Sequence, residues 1–227
     1  MRQQSYLCKT SVINDWVPFA GADAKVINKV ARKLYDEVPE LVSTIEKKNQ
    51  KFLGIGGMYS YDLVTTFPVN KASDLKGKRI AAGGLNQFWL EGTGAVPVTS
   101  SVNEAYSSLQ TGVYEGWILF SGSVLSAKLY EVAPYVTKVG LGTFIGPAIS
   151  MNKDKWDKLP PEVQKIFEEV GREFSDYMGE AMSKEYATTY DKLKAAGAKV
   201  SELSQEERVT WAKNIPNLHA PLGHKLS

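Results

Sequence analysis

The sequence predicts an α/β fold with a largely parallel sheet, strung along one helix long enough to span two lobes. Two observations carry this. Short strand-like runs alternate with helical segments through short connections between residues 52 and 152. An unbroken helical pattern then runs from Pro161 to about Ala195. About 35 residues at 1.5 Å each span roughly 50 Å, more than one small domain is wide.

In chain order, residues 23–50 read as two amphipathic helices broken near Pro39, with Val26, Ile27, Val30 and Leu34 at helical spacing. FLGIGG at 52–57 reads as a short buried strand, and YSYDLVTTFPV at 59–69 as a second, extended one ending at Pro68. NKASDLKGK is a charged turn. RIAAGG at 79–84 is a strand entering a glycine pair, with a helix over Asn86–Glu91. VPV at 96–98 is a short strand. Ser101–Gln110 is a helix for which Gly112 is a suitable left-handed cap. GWILF at 116–120 (strand), 121–132 (helix), YVTKVGLG at 135–142 (strand) and FIGPAISMN at 144–152 (strand) follow. Pro160-Pro161 opens the long helix, where proline is tolerated. Gly197 ends it, before a strand and turn at 198–204 and a last helix, QEERVTWAKN.

Composition excludes several function classes. The 27 basic and 25 acidic side chains leave a net charge of +2, without the basic excess of a nucleic-acid binder. One cysteine, Cys8, allows neither an intrachain disulfide nor a cysteine zinc cluster. Both histidines, His219 and His224, stand in the last nine residues, which removes histidine triads and multi-histidine metal sites from the folded body. The N-terminal MRQQSYLCKTS has no long apolar core, so it does not read as an intact secretory signal. No stretch reaches 18 apolar residues, so no membrane-spanning helix is expected.

Candidate ligand contacts are few. None of the glycine pairs at 56–57 and 83–84, nor the GTG at 92–94, fits a nucleotide-binding loop. Gly83-Gly84 does separate a strand from a helix start, where backbone N–H groups can meet an anion; a plain tight turn is the alternative. Trp89, Trp117 and Phe120 lie beside strand ends, where open α/β sheets bind ligands, although core packing would explain each equally. Ser121 and Ser123 follow a strand and precede a helix, but G-x-S-x-G is absent. Helix capping is their expected role. Trp156 is expected to pack on the long helix.

DLKGKRI at 74–80, GAVPV at 94–98, AYSSLQTGVYEG at 105–116, KLYEVAPYVT at 128–137 and MNKDKWDKLPPEVQKIFEE at 151–169 come in one order and spacing. Together they resemble the extracytoplasmic solute-binding proteins of tripartite ATP-independent periplasmic (TRAP) transporters, the family of the C4-dicarboxylate-binding subunit. The resemblance runs from about Trp16 to Leu218. It implies a two-lobed periplasmic binding protein that closes on an organic acid and passes it to the membrane permease subunits, with no cofactor, metal or nucleic acid.

Three departures shape the expectations. Family members are longer at the N-terminus, so the first lobe is expected to be incomplete and to invite a homodimer. On this reading residues 1–66 are the residual part of the first lobe and 67–143 the second lobe. Residues 144–195 return a first-lobe strand and the spanning helix, and 196–227 close the chain. Secondly, the family's carboxylate-pairing arginine falls on Ala81, with Arg79 two residues earlier on the same strand face. Thirdly, polar family positions are Trp117, Ile118, Leu119 and Phe120 here. The ligand contacts implied are Arg79, Ala81, Gly83, Asn86, Trp89, Trp117, Phe120 and Phe144. They suit an aromatic or bulky monocarboxylate, because aromatic faces stack. The alternative is an esterase-like hydrolase on a trimmed binding-protein scaffold, using Ser121 or Ser123.

Overall fold

The computed structural model describes residues 18, 19, 21 and 23–215, without the side chains of 85 and 144–147. Helices α1 (Ala24–Glu37) and α2 (Pro39–Glu46) meet at Val38, as the proline at the first position of α2 requires. Asp23 caps α1 by accepting the Lys25 N–H at 2.8 Å.

Strand β1 (Gln50–Thr65) is the centre of the molecule. It is one strand of 16 residues, where the sequence suggests two. Its glycines thin it for close packing instead of breaking it. The sheet continues with β2 (Arg79–Ala82), β3 (Val96–Thr99), β4 (Gly116–Phe120), β5 (Tyr135–Lys138), β6 (Thr143–Asn152) and β7 (Lys199–Glu202). The order is β3-β2-β4-β1-β5-β7, with β6 also on β1. The sheet is mixed, which corrects the largely parallel expectation. β2 pairs in parallel with β3 and β4, and β5 with β7, whereas β1 is antiparallel to β4, β5 and β6. A central strand buried on both faces reads alike in either direction, so the apolar run of β1 concealed its sense.

The helix expected over Asn86–Glu91 is a 3-10 helix, Gly84–Leu90. One further expectation is corrected. The 121–132 helix is α4 (Ser121–Ser126) followed by a single turn at Leu129–Glu131, because Lys128 takes a left-handed φ of 52°. Helix α3 (Ala105–Gln110) ends as expected. Gly112 (φ 71°) donates its N–H to the Leu109 carbonyl, and Val113 donates to that of Ser108. After α5 (Lys153–Trp156), α6 runs from Pro161 to Ala195, and α7 covers Gln205–Asn214. Trp156 is buried edge-on to Phe167 of α6, as expected.

Two apolar clusters result. The smaller joins α1 and α2 to the first half of β1, through Ile27, Ala31, Tyr35, Ile45, Phe52 and Ile55. The larger surrounds the β3-β2-β4-β1-β5-β7 sheet. Helix α6 serves both. Its Gly171 lies on Leu53 of β1, and its Tyr190 and Leu193 enter the larger cluster. Among the described residues no helix is long and apolar enough to cross a membrane.

Candidate ligand-binding site

β2, β3 and β4 run in the same direction, so their carboxyl ends open on one edge of the sheet. A crevice at that edge is where open α/β sheets hold ligands. It contains a cavity of about 360 Å³. Gly83 and Gly84 follow β2, Ser100, Ser101 and Val102 follow β3, and Trp117–Phe120 come from β4. Tyr61 of β1 completes the wall, since it pairs directly with Phe120.

The wall is aromatic on one side and weakly polar on the other. The Tyr61 ring centre is 4.3 Å from that of Phe120 and 5.1 Å from that of Trp89, the latter edge-on. Trp117 is buried edge-on to Tyr114 at 5.7 Å. Hydroxyls of Ser100 and Tyr114 lie 3.3 Å apart. Asn86 is buried at the floor, its N–H donating to the Gly83 carbonyl at 3.1 Å. A Cβ added at Gly83 or Gly84 would meet nothing within 4 Å, so a ligand can reach that backbone. Among the described residues the lining carries no charged side chain.

Of the residues singled out in the sequence, the structure brings together Gly83, Asn86, Trp117 and Phe120. Ala81 lies beneath them, fully buried between Val98 and Trp117 in the sheet register. Trp89 is also fully buried; its carbonyl accepts the Trp211 indole N–H at 2.8 Å. Arg79 stands at the other end of β2, exposed, its guanidinium donating to the Gly112 carbonyl at 2.8 Å. It does not line the cavity. The Phe144 side chain lies outside the described residues.

The serines do not cap α4. Phe120 is its N-cap, and Ser121 already belongs to the first turn. The Ser121 hydroxyl is fully buried and has no hydrogen-bond partner among the described residues. Ser123 contributes its carbonyl to Ser126 and Ala127. Among the described residues the Ser121 hydroxyl has no hydrogen-bond partner that could act as a base, and both histidines lie outside the described residues. Sequence reasoning missed Tyr61, Ser100 and Ser101. The two serines follow a strand end and could have been found by the same rule as Gly83. Tyr61 could not, because it depends on the direction of β1.

A second cavity, about 340 Å³, lies beyond β1 between α6 and α7. Asp23 and Ser183 line it with Lys138, Glu202 and Arg208. The Ser183 hydroxyl, donating to Asp23 at 2.6 Å, holds that carboxyl below its ordinary pKa.

The model of bacterial extracellular solute-binding protein family 7 (DctP) matches residues 8–224. The C4-dicarboxylate-binding periplasmic protein DctP of Rhodobacter capsulatus is 27% identical over 218 residues, 92% of this chain and 63% of the relative. This chain thus spans less than two thirds of that relative's length. A TRAP periplasmic solute-binding protein from Pseudomonas putida F1, solved with bound D-glucuronate, superposes with a TM-score of 0.74. It is 26% identical, covering 96% of this chain and 70% of that one. The fold is also that of the TRAP solute-binding protein from Desulfovibrio salexigens, with TM-score 0.85 and 22% identity over 98% of this chain and 68% of that one. The five motifs in register and the two-lobed architecture with its long helix agree: the chain belongs to the DctP family of bacterial extracellular solute-binding proteins.

Proposed function

We propose that this chain captures an organic acid in the periplasm for delivery to a TRAP-type membrane permease, and that the acid is an aromatic or bulky monocarboxylate. The observation that carries the ligand class is the wall of Tyr61, Trp117 and Phe120 with no charged side chain on the described lining. A small dicarboxylate would bring two charges into a site with no cation to pair them, and an unpaired desolvated charge is strongly unfavourable. An aromatic acid stacks its ring on the wall and needs partners for one carboxylate only. Asn86, Ser101 and the open backbone at Gly83 are suited to that. The relatives support an acid in general: one is named for C4-dicarboxylates and one holds D-glucuronate. Side chains left exposed on one face of α6, Ile166, Val170 and Tyr177, support association of two copies.

A thermal-shift panel tests the ligand class. A ligand at 100 times its Kd adds about 2.7 kcal/mol, which is about 5–10 °C in Tm for a chain of this size. Phenylacetate, benzoate and indole-3-acetate are expected to give such shifts. Stabilisation by succinate and malate alone would contradict the aromatic reading.

A further inference from the structure

Where β1 passes from its pairing with β6 to its pairing with β4 and β5, it carries a buried carboxyl group that the ligand cavity does not use. Side chains alternate along β1, so Tyr61 faces the cavity while Asp62 turns to the opposite face, toward α6. Asp62 is fully buried. One of its oxygens accepts the backbone N–H groups of Val139 and Gly140 at 2.7 and 2.9 Å. The other accepts the phenol of Tyr186 at 3.2 Å and that of Tyr190. Burial raises the carboxyl pKa above its ordinary value, and these four hydrogen bonds oppose the rise. Lys138 stays outside, its ammonium 5.7 and 5.5 Å from the two tyrosine ring centres and 3.8 Å from Glu202.

These bonds join segments where the backbone ladder is thin. β5 pairs with β1 as far as Thr137 opposite Leu63, and β6 takes over with Thr143 opposite Ser60. Between them, Val139 and Gly140 turn their N–H groups to the carboxylate. Tyr61 bridges the gap through its backbone exchanges with Leu141 and Gly142, and the Ser60 hydroxyl accepts the Gly142 N–H at 3.4 Å. Gly140 (φ 69°) and Gly142 (φ 142°) hold conformations open to glycine and can absorb rotation there.

We propose that Asp62 is the positioning residue of lobe closure: its carboxyl group ties β1, the β5–β6 connection and α6 together at the point where β1 changes its pairing, and so sets the lobe angle at which the acid is captured. This rests on the binding-protein reading above. Hinge segments absorb closure at a few residues, and a ligand can shift only an equilibrium the protein already has. An asparagine side chain offers one acceptor oxygen where the carboxyl group offers two, so Asp62→Asn keeps the shape and weakens the tie.

The test is the distance between spin labels at Lys165→Cys on α6 and Val113→Cys after α3, both exposed, in a Cys8→Ser chain without ligand. One narrow distribution is expected for this parent. Asp62→Asn is expected to shift the ratio of lobe arrangements by about tenfold. Tyr186→Phe/Tyr190→Phe removes two of the four donors, leaves the backbone pair, and is expected to shift the ratio in the same direction; it decides the matter if Asp62→Asn does not fold. Native distances in the folded variants would overturn the proposal. A parallel titration with phenylacetate is expected to show about tenfold weaker binding by Asp62→Asn. Failure of the parent to bind phenylacetate would count against the ligand reading, while the distances still decide the role of Asp62.

Discussion

Gly171→Ala is expected to destabilise the protein by about 3 kcal/mol or more, although alanine is the better helix former by about 1 kcal/mol. The reversal comes from how closely α6 lies on β1. A Cβ at Gly171 would overlap the Leu53 carbonyl, whose carbon is 2.7 Å from that position. Reciprocally, a Cβ at Gly54 would stand 2.6 Å from the Gly171 carbonyl oxygen. Both obstacles are backbone, so no side chain can swing aside. The helix must lift from the strand, and Asn28 and Ser175 lose their place with it. The Asn28 amide donates to the Ser175 carbonyl at 3.1 Å, and the Ser175 hydroxyl accepts the Ile55 N–H at 3.0 Å. Urea unfolding of Gly171→Ala beside Glu173→Ala, on the exposed side of the same helix, measures the effect. Equal midpoints for the two variants would show that the close approach is not needed.

Trp117→Ala is expected to lower stability by about 3–5 kcal/mol, the usual range for removing a buried large aromatic. The indole is 2% exposed and touches both the larger cluster and the cavity. Its loss should therefore also abolish binding of aromatic acids at concentrations that saturate the parent. Phe120→Leu separates the two effects. Phe120 is only half-buried and lies tilted against the Tyr61 ring, so its truncation should weaken binding with a small change in unfolding midpoint. Calorimetric titration with phenylacetate and urea unfolding of both variants give the comparison.

The long helix was legible at both ends because the chemistry of its ends is local. Pro160-Pro161 cannot stand inside a helix but fits its first turn. At the other end, the Ala198 N–H closes on the Leu193 carbonyl around Gly197, whose φ is 96°. The continuity of β1 was not legible. Gly54, Gly56 and Gly57 look like punctuation in one dimension, yet each faces a neighbour in three: Gly171, Met178 and Asn28. Those partners lie far away in sequence, so no local pattern announces them. The strand direction was hidden for the same reason, and Tyr61 with it. Gly83, Trp117 and Phe120 share one cavity lining because the strand-end rule needs only the order of elements, whereas Asn86 came with the family resemblance. Arg79 shares the strand with Ala81 but sits at its starting end, a distinction that face alternation alone does not make.

On the proposed function, the edge formed by the carboxyl ends of β2, β3 and β4 receives the acid. Indole N–H resonances of the chain, labelled with 15N-tryptophan and titrated with phenylacetate, test it most directly. Trp117→Phe assigns the decisive signal. A saturable shift of the Trp117 indole is expected, with Trp156, which packs on α6, and Trp211, which donates to the Trp89 carbonyl, left unchanged. Saturable binding that leaves Trp117 unmoved would contradict it and place the acid elsewhere, with the Lys138–Arg208 cavity beyond β1 as the next place to look.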